Sequence, residues 1–562
     1  MQRRDWALYG ALALARVVVA FTSQSIIHPD EHFQNAEISA SLFFDYSPDG
    51  DGPHRTWEWL GDSPGRCIAP VLGTTGRAFQ LLRWLGISSP DATTLFASER
   101  AVMLLLSFSL DLVVARLSRQ PRLPLLLLAS SPVAFSFLLR TFSNPLETLF
   151  LAALYLEYAD LKSSRLAIQL GALGAVLAAG IFTRSTFAAF VLPVLLFLAW
   201  RVGRHKSDGS ATSFSLARLI LRGLPLPIGF LITSVLLAAF DTAFFRLGST
   251  SVRDALAMLA DPHSLIWTPI NLLRYNASTD NLAQHGLHPL WLHAVVNMPM
   301  LHGAGLAIVA SAAWAVLRRG APKEKDETER QRPLIYLATV LVSLPLVSLL
   351  PHQEPRYILP FIVPIVLLAP YAPMFQSGTR RAARSRKVFW ALWLTHTAVL
   401  TVVFGYLHQG GVLPAIFALN RELRDPATRL GGASDVDVVF WRTFMPPRHL
   451  LLPIPQANQS VPAVRVTDLA GAPPSTLLDT LATTAALSSD RDGRRIAVLA
   501  APAYAIDALG LTCLPAGGAT PKCLELLDPE RRSYGVQVDM DRLGDLRSAS
   551  WATAGVGVWV LE

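Results

Sequence analysis

"ALYGALALARVVVAFTSQSIIHPDEHFQNAE" occupies residues 7–37 and joins two unlike halves: an apolar run to about Phe21, then His28, Asp30, Glu31, His32, Gln34 and Glu37 within ten positions. About 20 helical residues cross a bilayer core, so the run reads as a membrane helix and the cluster as the loop it delivers. Arg3 and Arg4 precede the run as they would in a signal peptide, but no convincing small-x-small cleavage site stands before the cluster, which favours an uncleaved first helix.

The rest of the chain repeats the first half's chemistry. Of 562 residues, 52% are hydrophobic and only 16% charged, a composition that excludes an ordinary soluble protein. Apolar stretches near 6–22, 95–115, 123–139, 145–160, 166–183, 186–201, 219–246, 290–316, 333–350, 357–375 and 388–408 predict an all-α polytopic membrane protein of about 11 transmembrane helices. The net charge of +8 does not point to nucleic acid, because the basic residues gather in short loops at 116–122, 201–210, 318–332 and 380–387. That is the positive-inside pattern of cytoplasmic loops. Alternating eleven spans from a cytoplasmic N-terminus puts all four on one side.

The opposite loops are then luminal and hold the polar clusters. Two N-x-S sequons, at Asn276 and Asn458, fall on that side. Cys67, Cys513 and Cys523 show no metal-ligand spacing; the last two are close enough in sequence for a disulfide across a short loop. The half-apolar stretch 67–87, broken by Arg77, Arg83 and several glycines, reads as amphipathic and interfacial. Beyond about 410 the composition turns polar, and short alternating runs at 495–502 and 554–562 predict strands of a small luminal α/β or β-rich domain. The expected domains are thus 1–410, with luminal loop 23–94, and 411–562.

Five stretches carry chemistry. A carboxylate partly shielded from water suits a general base, which singles out Asp30 and Glu31. His28, Asp30 and His32 could share a metal, but no second cluster supplies the missing ligand, so no metal is expected. "RTFSNPLE" sets Arg140, Asn144 and Glu147 where a span meets the lumen, and "FTRST" does the same for Arg184; ionisable groups near membrane depth are usually paired or functional. "PHQEPRY" breaks a helix between Pro351 and Pro355 and is expected to expose His352, Gln353, Glu354 and Arg356 together, a cation fork suited to phosphate. "YNASTDNLAQHGLHPLWLH" (275–293) adds Asn281, His285 and His288, amide and imidazole groups that suit a sugar beside aromatics.

On "HPDEHFQNAE", "RTWEW" (55–59), "RTFSNPLE", "YNASTDNLAQHGLHP" and "PHQEPRYILP", the chain resembles the eukaryotic GPI mannosyltransferases of glycosyltransferase family 22. Within them the HQEPR and NLAxHGLHP forms are most similar to the fourth-mannose branch. The similarity spans about 1–410. Ser185, where the family often has Pro after the arginine, is the one departure. The resemblance implies a GT-C fold in the endoplasmic reticulum membrane, with a luminal active site and no cofactor. The implied donor is dolichyl-phosphate mannose and the implied acceptor the GPI precursor glycolipid, which would receive a fourth mannose in α1,2 linkage with inversion. Asp30 would be the base, with Glu31 orienting the acceptor or substituting. His28, Gln34, Trp57, Arg140, Asn144, Glu147, Arg184, Asn281, His285, His288, His352, Gln353, Glu354 and Arg356 would bind substrate. Membrane lipid is the other implied partner, and no protein partner is named.

Three alternatives stay open at this level: a third-mannose GPI or N-glycan-precursor mannosyltransferase of the same family, a lipid or glycolipid transporter or scramblase, and a non-catalytic subunit. A transporter should carry ionisable groups inside its spans, where Asp111 and Asp241 are the few examples.

Overall fold

The computed structural model describes residues 3–561 except 207–211, 284–285, 320–326, 457–459, 490–494 and 515–520. The Asn458 sequon and the middle of the 318–332 loop lie outside the described residues. Among those described, five helices are long and apolar enough to cross a membrane: Arg3–Thr22, Ser163–Thr183, Leu216–Leu247, Glu329–Ser348 and Arg380–Leu407. A sixth joins them if His293–His302 and Gly305–Arg318, bent by 110°, form one span.

This set is smaller than the eleven expected, for local reasons. The apolar stretch at 123–139 forms an α-helix only over Arg122–Ala129 and resumes as a π-turn at Val133–Phe137. The bend near 303 follows from Gly303, whose φ of 41° with ψ of −118° is a combination that favours glycine and whose added Cβ would strike the His396 ring. Phe187–Gly203 and Pro355–Tyr371 are shorter apolar helices. Ile68–Gly73 and Thr75–Trp84 are too short to cross, and the second leaves Leu81 and Trp84 exposed, as an interfacial segment would.

The chain divides into two compact units, each discontinuous in sequence: residues 1–17, 57–70 and 103–398, and residues 18–56, 71–102 and 399–562. In the first unit, helices Leu166–Thr183 and Pro225–Leu247 meet backbone to backbone. A Cβ on Gly229 would lie 2.1 Å from the Gly171 carbonyl oxygen, and one on Gly174 equally close to that of Leu226. Small residues give membrane helices this close approach. Asp111 and Asp241, inside its helices, have partners: Arg16 Nη1 donates to Asp111 Oδ2 at 3.0 Å, and Asp241 accepts from the Ile68 N–H at 2.9 Å and from Thr268 Oγ1 at 2.7 Å. Both acids that could have signalled a transport path are therefore structural contacts.

The second unit is built on a six-stranded mixed sheet: β1 (Asp435–Phe440), β2 (Ala463–Asp468), β3 (Arg495–Pro502), β4 (Cys513–Leu514), β5 (Lys522–Leu526) and β6 (Val556–Leu561), in the order β2-β1-β3-β6-β5-β4. β1 pairs in parallel with β2 and β3, whereas β6 runs antiparallel to β3 and β5. Cys513 and Cys523 form a disulfide across the β4–β5 pair, and Cys67 is free and buried.

Both sheet faces are covered, and strand alternation sorts their residues. Val439, Trp441, Leu499 and Trp559 face a core with Leu477 and Leu481 of helix Pro474–Ser489. Val436, Val438, Phe440, Val498 and Val558 face another that contains Ile416 and Leu419 of helix Val412–Arg424, Phe96, and Ile26, Ala40 and Phe44 from either side of the HPDE motif. One apolar core thus joins the motif's supporting segment to the C-terminal sheet.

Candidate active site

In the second unit, Pro29 starts the helix that carries the motif. Its carbonyl accepts from the N–H of His32 and Phe33, at 3.0 and 3.3 Å, and helical structure runs from Asp30 to Phe43 with a π-turn at His32–Ala36. Proline suits a helix start, and π-turns recur at functional sites. Successive helical residues diverge by about 100°, so the adjacent carboxylates point apart. Asp30 keeps 27% of its side chain exposed, accepts from Gln34 Nε2 at 2.6 Å and lies 3.6 Å from His28 Nδ1. Glu31 is 1% exposed, with His32 Nε2 at 3.1 Å and Arg100 Nη2 at 3.7 Å.

Behind Glu31 lies a buried array of charges. His449 Nδ1 stands 2.9 Å from Glu37 Oε1, and its Nε2 stands 2.8 Å from Glu99 Oε1. Glu37 also accepts from the backbone N–H of His449 at 3.0 Å and of His54 at 2.6 Å. Burial alone would suppress the charge on His449, but Glu99 and Glu37 outweigh it and push the imidazole pKa up to about 9. Burial likewise opposes ionisation of Glu37, yet His449 holds its carboxyl below the ordinary value. Among the described residues, the groups close enough to share one ion are His32, Glu99 and His449, within 4.8 Å of one another, rather than His28, Asp30 and His32. In the structure they contact each other, two of them as a hydrogen-bonded ion pair.

The first unit holds a second cluster, with arginine and histidine around two carboxylates. Arg356 donates to Glu354 through Nε at 2.5 Å and Nη2 at 2.7 Å. His352 Nε2 lies 2.9 Å from the same carboxylate, and Tyr357 donates to it at 3.1 Å. Arg184 donates to Ser143 Oγ at 3.0 Å, lies 3.5 Å from Glu147 Oε2 and covers the Tyr357 ring. Thr186 donates to Glu147 at 2.7 Å, and Asn144 Nδ2 does so at 3.4 Å.

The expectation that His352, Gln353, Glu354 and Arg356 stand exposed is corrected in part. Gln353 and Arg356 are buried, which their partners permit, since a guanidinium away from water must be paired and an amide hydrogen-bonded. Gln353 receives the His293 N–H at 2.9 Å and donates to the Ser348 carbonyl at 2.9 Å. Burial disfavours charge on His352, but its hydrogen bonds to Glu354 and the Gly286 carbonyl leave its pKa raised.

His288 sits beside His352 with ring centroids 5.4 Å apart, and its Nδ1 accepts from the Gln353 N–H. Arg140 is buried, and His285 lies outside the described residues. Trp57 is 41% exposed and stacks on Tyr275 at 3.8 Å. The pair edges a cleft of about 460 Å³ that Asn271, Arg274 and Asn281 also line. Three contributors escaped the sequence reading: Arg66, its partner Glu58 at 2.6 Å, and Tyr357. Arg66 and Arg356 both lie within electrostatic reach of Arg184. Tyr357 and Glu58 did stand inside quoted motifs, which was the available signal.

What these arrangements can do divides by unit. An accessible carboxylate braced by a buried amide can take a proton. Guanidinium groups have five N–H donors each, so a carboxylate that takes two of them orients the fork for an anion.

The model of the Alg9-like mannosyltransferase family matches residues 7–453. GPI mannosyltransferase 4 of Emericella nidulans is 33% identical over 80% of this chain and 76% of its own length. Human GPI alpha-1,2-mannosyltransferase 4 is 31% identical over 79% and 76%. The crystal structure of ArnT from Cupriavidus metallidurans bound to undecaprenyl phosphate superposes with a TM-score of 0.52 at 14% identity, covering 100% of this chain and 98% of that one. That likeness shows the fold, which is of the GT-C type.

Proposed function

We propose, for a chain that belongs to the Alg9-like mannosyltransferase family, that it moves mannose from dolichyl-phosphate mannose onto the third mannose of the GPI precursor, in α1,2 linkage. The names of its relatives support the GPI acceptor. The multi-pass helices and the loop charges support placement in the endoplasmic reticulum membrane with the chemistry on the luminal side.

The observation that carries the mechanism is the divergence of two neighbours, Asp30 accessible and Glu31 sealed against Arg100 and His32. Asp30 takes the proton of the acceptor 2-hydroxyl, and that oxygen attacks the anomeric carbon as the bond to phosphate breaks. A β-linked donor gives an α-linked product by this single inverting displacement. Dolichyl phosphate leaves with the bonding pair as an anion, so no general acid is needed, only positive charge beside it. Arg356, Arg184 and His352 supply that charge, Arg140 adds to it, and Glu354 and Glu147 hold two of the guanidinium groups in orientation. Trp57, Asn281, His288 and His285 take sugar, Gln34 braces Asp30, and Glu31 supports the helix rather than touching the acceptor.

Depleting the chain and counting mannoses on the GPI intermediate that accumulates tests the reading. Three mannoses are expected; two would move the assignment to the third-mannose step, and an unchanged GPI profile with truncated N-glycan precursors would move it to that pathway.

A further inference from the structure

We propose that His449 is a positioning residue for Asp30, reached through a buried charge array that pins both ends of the π-turn following the HPDE motif. His449 comes from helix Arg448–Leu451, 412 residues downstream of Glu37, yet both its ring nitrogens and its backbone N–H end on acidic residues of the N-terminal segments. One end of the turn is fixed at Glu31, by Arg100 and His32. The other end is fixed at Glu37, by His449 and the His54 N–H. Glu99 joins the two fixings, since it contacts His449 at 2.8 Å and lies 3.9 Å from His32 Nδ1. Glu31, His32, Glu37, Glu99, Arg100 and His449 are all buried and belong to one compact unit.

Counting charge shows why His449 matters. Leaving His32 aside, the carboxylates Glu31, Glu37 and Glu99 face the cations Arg100 and His449, an excess of one negative charge. Removing His449 alone raises that excess to two in a site without solvent, where an unpaired carboxylate is expelled or protonated. Either outcome loosens the Glu37 end of the turn, which is left to uncharged hydrogen-bond donors alone, and Gln34, about one turn earlier, and Asp30, about two turns earlier, lose their fixed geometry. Displacing a reacting group by about 1 Å costs on the order of 100-fold in rate.

His449→Gln and the double variant His449→Gln with Glu99→Gln separate this role from simple loss of structure. The double variant restores the excess of one, and the glutamine amide at position 449 still donates to Glu37. Each is made in full-length protein that also carries Ala36→Cys, because Ala36 lies buried in the π-turn. Maleimide labelling then reads the turn directly, with the buried Cys67 of the other unit as internal control.

The thiol introduced at position 36 is expected to be protected when His449 is present, to react roughly tenfold or more faster in His449→Gln while Cys67 stays unreactive, and to be protected again in the double variant. Where His449→Gln fails to accumulate, normal accumulation and protection of the double variant carry the same conclusion. Equal protection in His449→Gln, or a double variant no better than the single one, overturns the proposal. The catalytic consequence rests on Asp30 as base: with Ala36 left in place, kcat should fall roughly 10- to 100-fold in His449→Gln at unchanged donor KM and largely recover in the double variant. Labelling is scored without any transfer assay, so it decides the pinning even if the assignment of the acceptor fails.

Discussion

The carboxylate–imidazole array of one unit and the carboxylate–guanidinium cluster of the other solve the same problem with opposite sign. Each takes ionisable side chains out of water and pairs them. Around Glu31 the buried carboxylates outnumber the fixed cations, and the neighbouring Asp30 is left partly open. Around Glu354 and Glu147 the cations are Arg356, His352 and Arg184, and the aromatic ring of Tyr357 lies under a guanidinium. The difference teaches what each region is prepared to meet: the first a proton about to leave a hydroxyl, the second an anion.

The sharpest way to break this comparison is at Asp30 and Glu31, which differ by one position and by nearly complete burial. Asp30→Asn keeps shape and the Gln34 contact but removes the proton acceptor. Turnover should fall by roughly 100- to 10,000-fold with normal protein levels. Glu31→Gln should fail differently, because it leaves Arg100 without its carboxylate, and breaking a buried pair costs about 3–5 kcal/mol. Its signature is loss of accumulated protein and a lowered Tm, with the surviving fraction retaining turnover. Near-normal turnover in Asp30→Asn would remove the base from this loop.

How much of this was legible in the sequence follows the same division. Asp30, Glu31, His352 and Arg356 sit in compact motifs, and strand β3 has the boundaries expected of it because its short apolar run stands between polar segments. The spacing of Cys513 and Cys523 allowed a disulfide without deciding it, and the β4–β5 pairing brings the two together. Glu99 and His449 carried no local signal: each is a lone polar residue in an unremarkable stretch, and only the fold brings them to Glu37. The single apolar core that joins the HPDE helix to the C-terminal sheet was hidden for the same reason, since strand alternation reports that a face is buried but not against what.

A smaller effect is expected in the cation cluster, where several groups share one anion. Arg356→Ala removes a charge-assisted contact of about 1.5–3 kcal/mol, so donor KM should rise roughly 10- to 100-fold while turnover at saturating donor changes less. The same substitution leaves Glu354 to His352 and Tyr357, which keep the turn formed. Arg356→Lys should recover only part of the affinity, because an ammonium cannot reproduce the paired geometry of the fork. A donor KM that does not move in Arg356→Ala would sever this cluster from the phosphate.

The smallest effect separates the two regions by pH, because each contains a histidine whose charge its carboxylate neighbours favour. For both, the folded pKa is raised, so the contribution is fully present below the ordinary value of about 6.5 and is lost as pH rises through the folded value. His352 faces Glu354 and Arg356 as charged neighbours, the second opposing its proton, and its loss of charge should raise donor KM by roughly three- to tenfold on the alkaline side. His449 faces Glu37 and Glu99, and its pKa of about 9 places its loss of charge at a stability transition, not a change in KM. His352→Gln should therefore flatten the alkaline rise of donor KM and leave the pH of unfolding where it was. A KM profile that keeps its alkaline rise in His352→Gln would assign that titration elsewhere. An unfolding midpoint that shifts with it would mean the two arrays are not separable in function.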